Sequence, residues 1–304
     1  MKHNLKITAI LLSMFILTQL IGIYVVNYYS SENAMLPFDL DSQQIDSSNP
    51  GVLPSIIFAF IIAIFILFLF MKLHLKFILR AWFFLVMALS LAIAFNVFTN
   101  QLGIEKFYIQ IPIIATLIAI PLAIMKISGK SFIVHNFTEF LIYPGIAAVF
   151  VPLLNVWTII ALLILISLYD AWAVWHSGIM QKMAKYQIDT LKVFSGFFVP
   201  YASKKVKAQI AKMKKSMTKN QLKKKKFRVS VAILGGGDIV FPIITAGVML
   251  GTPFGLGGAL LVVLGATLGL AYLFFAAEKR KFYPAMPFIS AGIFLGILVS
   301  YLIL

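Results

Sequence analysis

Long apolar runs are the feature that most restricts how this chain can fold. Apolar residues make up 61% of the 304 residues and charged residues only 12%, against about 45–50% and about 25% in soluble domains. Each run is close to the roughly 20 residues that cross a bilayer as a helix, and none alternates with the period of a strand. We therefore predict an all-α membrane protein. Its nine transmembrane helices are expected at roughly 7–28, 53–71, 78–98, 107–126, 137–151, 153–175, 229–251, 254–277 and 284–304.

The first run is predicted to be a membrane span and not a signal peptide. It extends from Ile7 to Val26, which is longer than the apolar part of a signal peptide, and no small-residue cleavage site follows it. The expected location is the cell membrane, with several passes through it.

The placement of the basic residues predicts the orientation of the helices. With the N-terminus in the cytoplasm and the C-terminus outside, every Lys and Arg except Lys106 falls on the cytoplasmic side, as the positive-inside rule requires. The acidic loop after the first span, with Glu32, Asp39, Asp41 and Asp46, then lies outside. The net charge of +16 is thus mostly an orientation signal, and no nucleic-acid partner is expected.

Three regions follow from this pattern. Residues 1–175 hold helices 1–6, residues 176–228 form a basic cytoplasmic loop, and residues 229–304 hold helices 7–9. Within the loop, the stretch from Lys204 to Lys219 mixes lysines with apolar residues. It could form an interfacial helix on anionic lipid, and a solvated linker fits the same composition equally well.

Two acidic residues, Asp170 and Asp238, lie well inside predicted spans. A charged Asp at the centre of a membrane helix costs about 2.5–3.5 kcal/mol, so such residues are expected to be functional. We place Asp170 about 8 Å and Asp238 about 14 Å from the cytoplasmic ends of two antiparallel helices, where the carboxyl groups could meet. Glu139, near the end of the short fifth span, is expected at an interface.

Two carboxyl groups in contact cannot both ionise cheaply, so the pair is expected to share one proton. Such a pair can activate water, because one carboxylate accepts the water proton while the other acid protonates a carbonyl oxygen. This chemistry needs no metal, no cofactor and no covalent intermediate. Three glycines, Gly235, Gly236 and Gly237, directly precede Asp238; they permit close helix approach or leave room for a substrate backbone.

These residues resemble a known family. Tyr169-Asp170, the Gly235-to-Asp238 run and Pro284-Ala285-Met286 are similar to the YD, GxGD and PAL motifs of presenilin and signal peptide peptidase. The segments from Ser167 to Val174 and from Asp238 to Pro242 look most like the archaeal members. The resemblance implies a presenilin-like bundle that cleaves transmembrane helical substrates. It implies further that Asp170 and Asp238 are catalytic and that the other motif residues shape the site.

The chain departs from the family motifs at two positions. Gly236 replaces the usual Leu of GxGD, and Met286 replaces the Leu of PAL. Tyr169 could bond near the aspartates or serve as a packing residue. In this family the segment before helix 7 can pair with an extended substrate, and here Phe227 to Ile233 is rich enough in β-branched residues to do so.

Functions other than proteolysis by paired aspartates also use buried polar residues in membranes. Buried carboxylates also serve ion channels and proton-coupled transporters, although no internal repeat typical of transporters is seen. A zinc protease would need two histidines one helical turn apart. The four histidines, His3, His74, His135 and His176, are isolated, and we expect them near helix ends at the membrane interface.

Overall fold

The structure is a computed structural model, and it describes part of the chain. The described residues are 5–30, 35–38, 40, 52–73, 75–103, 112–129, 131–177, 186, 193–201, 230–278 and 283–304. The four acidic residues of the loop after α1, Lys106, two of the histidines (His3 and His74) and the stretches 204–219 and 227–229 lie outside them. The predictions made for those segments therefore stay predictions.

Nine apolar helices occur within the described residues. Their bounds are α1 Leu5–Ser30, α2 Val52–Lys72, α3 Lys76–Gln101, α4 Ile113–Ile127, α5 Phe132–Phe150, α6 Val156–Trp172, α7 Gly236–Leu250, α8 Gly255–Ala276 and α9 Met286–Ile303. A 3₁₀ turn, Val151–Leu153, extends α5, and a π-helical turn, Ala173–Ser177, extends α6. Each helix corresponds to one of the predicted spans.

Six of these helices are long and apolar enough to cross a bilayer: α1, α3, α5, α6, α8 and α9. Helices α4 and α7 are shorter, at 15 residues each. The chain is thus a multi-pass, mostly helical membrane protein. Nine complete spans and the orientation of the termini stay predictions.

A two-stranded antiparallel sheet is present in this mostly helical fold, in two segments where a loop and the start of a helix were predicted. Strand β1, Gly196–Tyr201, lies in the predicted loop, and strand β2, Ser230–Gly235, occupies the predicted start of helix 7. The strands pair from Gly196 opposite Gly235 to Tyr201 opposite Ser230. Helix α7 therefore begins at Gly236 and not near residue 229. The apolar run Val231 to Leu234 is too short for periodicity to distinguish a strand from a helix.

Helices α1, α5, α7 and α8 pack together around the middle of the molecule, and α3 and α4 pack on the outer side of α5. The centre is apolar; Leu11 and Phe15 of α1, for example, are fully buried. One buried polar side chain of α1, Gln19, donates its Nε2–H to the carbonyl oxygen of Ile239 at 3.0 Å. This bond fixes the first turn of α7 against α1.

Helices α8 and α9 form the most extensive helix–helix interface among the described elements. Each carries a GxxxG pattern, with Gly265 and Gly269 on α8 facing Gly292 and Gly296 on α9. A Cβ atom added to Gly265 would meet the carbonyl of Gly292, and one added to Gly292 would meet the carbonyl of Gly265. Small residues let the two backbones touch, which is how membrane helices associate tightly.

Candidate active site

Asp170 lies in the last turn of α6 and faces the start of α9. Its side chain is buried, with 3% of the residue exposed. The backbone N–H of Met286 donates to Asp170 Oδ2 at 3.1 Å, and the N–H of Ala285 also donates to this carboxyl group. The first N–H groups of a helix have no partner within the helix and favour negative charge. The N-terminus of α9 therefore donates hydrogen bonds to the Asp170 carboxyl group and provides a site that favours negative charge.

Asp238 lies in the first turn of α7, at the third helical position. This is nearer the helix start than the predicted depth, because the preceding residues form β2. Its carboxyl group accepts a hydrogen bond from the backbone N–H of Gly235, the N-cap residue. An acidic side chain that folds back from position N3 to the N-cap is half of a capping box. The strand-to-helix junction thus fixes where this carboxyl group lies.

The end of α6 lies beside the start of α7, so that Asp170 and Asp238 stand on adjoining helix ends. These helices contact one another, and the Asp170 and Asp238 carboxyl groups interact electrostatically. The arrangement joins three structural ends: the C-terminal turn of α6, the N-terminal turn of α7 and the N-terminus of α9. Paired carboxyl groups in such a setting can hold one proton between them and activate a water molecule.

The three glycines before Asp238 have different surroundings. A Cβ atom on Gly235 would lie 3.1 Å from Asp238 Oδ2, and one on Gly236 would lie 2.8 Å from the Tyr143 hydroxyl and 2.7 Å from Ser195 Oγ. Side chains from α5 and from the residue before β1 thus occupy the space that the usual Leu would need. At Gly237 an added Cβ would meet only the Phe241 ring, at 4.0 Å, so this glycine leaves open space beside Asp238.

The remaining predicted site residues lie at the start of α9 and beside Asp170. Pro284 and Met286 are buried and Ala285 is half-buried. One turn further along α9, Ser290 Oγ lies 2.9 Å from Ser167 Oγ of α6. Tyr169 is half-buried next to Asp170, and within the described part of the chain its hydroxyl makes no hydrogen bond. The geometry of Tyr169 therefore fits the packing interpretation.

Comparison with known proteins identifies the family of this chain. Residues 12–304 match the sequence profile of a family described as signal-peptide peptidase, presenilin aspartyl protease. The chain belongs to the presenilin and signal-peptide peptidase family. It is therefore a hydrolase of the intramembrane aspartate protease type. No curated protein matches its sequence.

Two solved structures share the fold of this presenilin-family protein. Both are of a presenilin family intramembrane aspartate protease, in two crystal forms. The first is 16% identical in sequence with a TM-score of 0.59, and the match covers 98% of this chain and 99% of the other. The second is 19% identical with a TM-score of 0.53, and the match covers 97% of each chain.

This presenilin-family chain also has a buried polar cluster that the sequence analysis missed. The Glu139 side chain was expected at an interface but is fully buried, because it forms an ion pair with Lys126 Nζ of α4. His135 was likewise expected at an interface, yet it is buried with Nε2 3.4 Å from Glu139 Oε1. The sequence did contain one signal for this cluster. Lys126 and Glu139 carry opposite charges and lie in two apolar helices joined by a short turn.

The same cluster binds the backbone of β1. The Gly196 N–H donates to Glu139 Oε1 at 3.2 Å, and the Gly196 carbonyl oxygen lies 2.8 Å from His135 Nε2. The amide of Asn136 donates to the Phe198 carbonyl oxygen at 2.9 Å and accepts from the Phe198 N–H at 3.2 Å. Side chains of α5 thus satisfy the outer edge of β1. Within the described residues, no group of three or more His, Cys, Asp or Glu side chains is placed to hold a metal ion.

Proposed function

We propose that this protein cleaves peptide bonds of transmembrane segments, with Asp170 and Asp238 as the catalytic pair. The observation that supports the proposal is the placement of the two carboxyl groups on the adjoining ends of α6 and α7, with the Asp170 carboxyl group bonded to the N-terminus of α9. Family membership favours proteolysis over the ion-pathway alternative that buried carboxylates raise. The proposed substrates are transmembrane helical peptides or proteins.

In the proposed reaction, the pair shares one proton and holds a water molecule between its two carboxyl groups. The ionised carboxylate takes a proton from the water as the oxygen attacks the carbonyl carbon of the scissile bond. The protonated carboxyl group gives its proton to the carbonyl oxygen, which yields a neutral gem-diol. The newly protonated carboxyl group then gives its proton to the amide nitrogen, while the other carboxylate takes a proton from one gem-diol hydroxyl. The C–N bond breaks, which releases an amine and a carboxylic acid and leaves the pair with one proton, as at the start. Gly237 leaves space for the peptide beside Asp238.

The free edge of β2 is the proposed docking site for the unwound substrate. Gly196 and Phe198 direct their backbone groups toward α5. In an antiparallel ladder, their partners must then direct theirs to the opposite edge of the sheet. Ile233 is the partner of Phe198, and Val231 is in phase with it. Both side chains are exposed, at 46% and 44%, and in the described residues no strand covers this edge.

A strand added at this edge would lead directly to the catalytic pair. The next residue of the same phase in β2 is Gly235, whose N–H bonds to the Asp238 carboxyl group. Adding a strand replaces the substrate's helical hydrogen bonds with sheet bonds and exposes its peptide bonds to attack. The segment from Phe227 to Ile233 was predicted to pair with an extended substrate; the proposed pairing site within it is the edge of β2 that faces away from β1.

The test of the catalytic pair uses purified protein in lipid nanodiscs with a single-span reporter peptide. Asp170→Asn and Asp238→Asn should each abolish cleavage while leaving the melting temperature close to that of the parent. Glu278→Gln, which removes a carboxylate beyond the end of α8, is the control and should cleave at the parental rate. If either Asn variant cuts as fast as the parent, the mechanism is wrong.

The test of the docking edge compares two substitutions at Val231. Val231→Pro removes an N–H from the free edge of β2 but no ladder bond to β1, because in this register the Val231 N–H points away from its partner Pro200. It should raise the KM for the reporter at least tenfold, on the basis of about 1.4 kcal/mol per tenfold. Val231→Thr keeps both the N–H and the branched side chain and should behave as the parent. Equal KM values for the two variants would exclude docking at this edge.

A further inference from the structure

The buried cluster on α5 has no part in the reaction proposed above, yet it contacts the sheet that leads to Asp238. Three of its side chains bind β1: His135, Asn136 and Glu139, which we call the α5 clamp. They make four contacts to backbone groups of Gly196 and Phe198, at 2.8 to 3.2 Å. These are the groups that a third strand would otherwise bind.

The α5 clamp closes the outer edge of β1 as a neighbouring strand would. Asn136 both donates to and accepts from Phe198, which is the pattern of a strand residue in a hydrogen-bonded pair. Beyond the reach of the clamp, the same edge continues to Pro200, which has no N–H to offer. Consequently the sheet offers only the β2 edge to an incoming peptide.

Glycine at position 196 is required for this arrangement. Its φ angle is +136°, and a Cβ atom there would collide with the carbonyl oxygen of Leu234. Residues with side chains rarely adopt this conformation. It turns both backbone groups of Gly196 toward α5, so that His135 and Glu139 hold the first residue of β1.

The clamp is connected to Asp238 through the sheet. Gly196 pairs with Gly235 in the β1–β2 register, and the Gly235 N–H bonds to the Asp238 carboxyl group. On the other side of the junction, Ser195 lies 3.4 Å from the Tyr143 hydroxyl and, with it, lines the Gly236 backbone. A shift of β1 along α5 would therefore move both the docking edge and one carboxyl group.

Glu139 is suited to holding β1 only while Lys126 neutralises it. Glu139 Oε1 accepts hydrogen bonds from Lys126 Nζ and from the Gly196 N–H. Both charged residues are buried, with 0% of Glu139 and 6% of Lys126 exposed. An unpaired charge at such depth is strongly destabilising, whereas a neutral polar pair is tolerated. Lys126 thus supports the clamp from α4 without contacting the sheet itself.

We propose that His135, Asn136 and Glu139 are positioning residues that fix the register between the docking edge of β2 and Asp238, and so determine which substrate peptide bond is cut. The proposal rests on the proteolytic function proposed above. Loss of the clamp lets β1 and β2 shift relative to α5, so a bound strand presents several peptide bonds to the pair. Misplacing reacting groups by about 1 Å can cost about 100-fold in rate.

The experiment measures kcat, KM and the cleavage position, the last by mass spectrometry of the reporter products. Asn136→Leu, which keeps the shape but loses both hydrogen bonds, should lower kcat about 10- to 100-fold with little change in KM. It should also convert one dominant cleavage position into several. Asn136→Asp keeps the acceptor for the Phe198 N–H and should fall between the parent and Asn136→Leu.

Two controls separate positioning from stability. Asn96→Leu removes a buried amide of α3 that bonds to the Tyr29 hydroxyl, far from the sheet, and should keep the parental cleavage position. The double variant Lys126→Met/Glu139→Gln keeps an acceptor for the Gly196 N–H without buried charge, so it should keep the parental cleavage position. Glu139→Ala removes this acceptor and should lose the single parental cleavage position. A folded Asn136→Leu or Glu139→Ala variant with the parental kcat and single cleavage position overturns the proposal.

Hydrogen exchange provides a readout that does not need activity. Peptides that cover 196–201 and 230–235 should exchange at least tenfold faster in Asn136→Leu than in the parent or in Asn96→Leu. If the parent fails to cut the reporter, the proteolytic function fails. The clamp is then judged by exchange alone, and unchanged exchange in both strands refutes it.

Discussion

The close contact between α8 and α9 predicts that a substitution remote from the aspartates will reduce cleavage. Gly292 lies on α9 opposite the carbonyl of Gly265, in a contact with no space for a methyl group. A carbon atom needs about 3.3 Å from a carbonyl oxygen, so Gly292→Ala must part the two helices by about 1 Å.

That displacement is carried to the start of α9. The Met286 N lies 3.1 Å from Asp170 Oδ2, and a shift of about 1 Å at the start of α9 is large enough to disrupt this hydrogen bond. With reacting groups misplaced by about 1 Å, we expect kcat to fall by roughly 100-fold, which is about 2.7 kcal/mol in activation free energy.

The assay compares the cleavage rates of the single-span reporter by the parent, Gly292→Ala and Gly257→Ala in nanodiscs. Gly257 is the matched control because a methyl group there meets only the flexible end of the Leu304 side chain, at 2.9 Å. Gly257→Ala should cleave at the parental rate. A Gly292→Ala variant that matches the parent in rate would show that the α8–α9 contact does not set the position of Met286.

Two further predictions concern residues around the aspartates. Gly236→Ala should destabilise the protein by about 1–3 kcal/mol, because its methyl group overpacks Ser195 and Tyr143; Ser195→Gly in the same chain should restore part of the melting temperature, and no restoration would contradict this assignment. Ser167→Ala and Ser290→Ala should each cost about 1 kcal/mol, and the double variant should cost less than their sum, as thermal melting would show, because the two hydroxyls bond to each other. Additive costs would mean that this bond is not formed.

The helices were predictable because their signal is local, and Asp170 and Asp238 stand out in the sequence for the same reason. A run of about 20 apolar residues has few folded solutions in a bilayer, and an Asp within such a run needs a partner or a function. The encounter of Asp170 with the start of α9 follows from the resemblance of Pro284, Ala285 and Met286 to a known motif. The hydrogen bond from the Met286 backbone shows the physical reason for a helix start at that place.

The sheet and the buried cluster were not predictable because their signals are distant in sequence. Strand β1 is short, contains Pro200, and lies in a region dominated by lysines. Its pairing with β2 depends on contacts across about 35 residues, which no local pattern encodes. Glu139 is buried only because Lys126 of another helix neutralises it. Sequence reasoning that evaluates each charge singly places both at an interface.

The ion pair between α4 and α5 has a consequence for how the protein enters the membrane. Each charge alone would cost a helix about 2.5–3.5 kcal/mol on insertion if it lay at the bilayer centre. Lys126 lies near the end of α4 and Glu139 two turns into α5, with only a short connection between the helices. Inserted together, the two helices present a neutral, hydrogen-bonded pair to the lipid. The geometry therefore favours entry of α4 and α5 as one helical hairpin, before α7 arrives to complete the bundle.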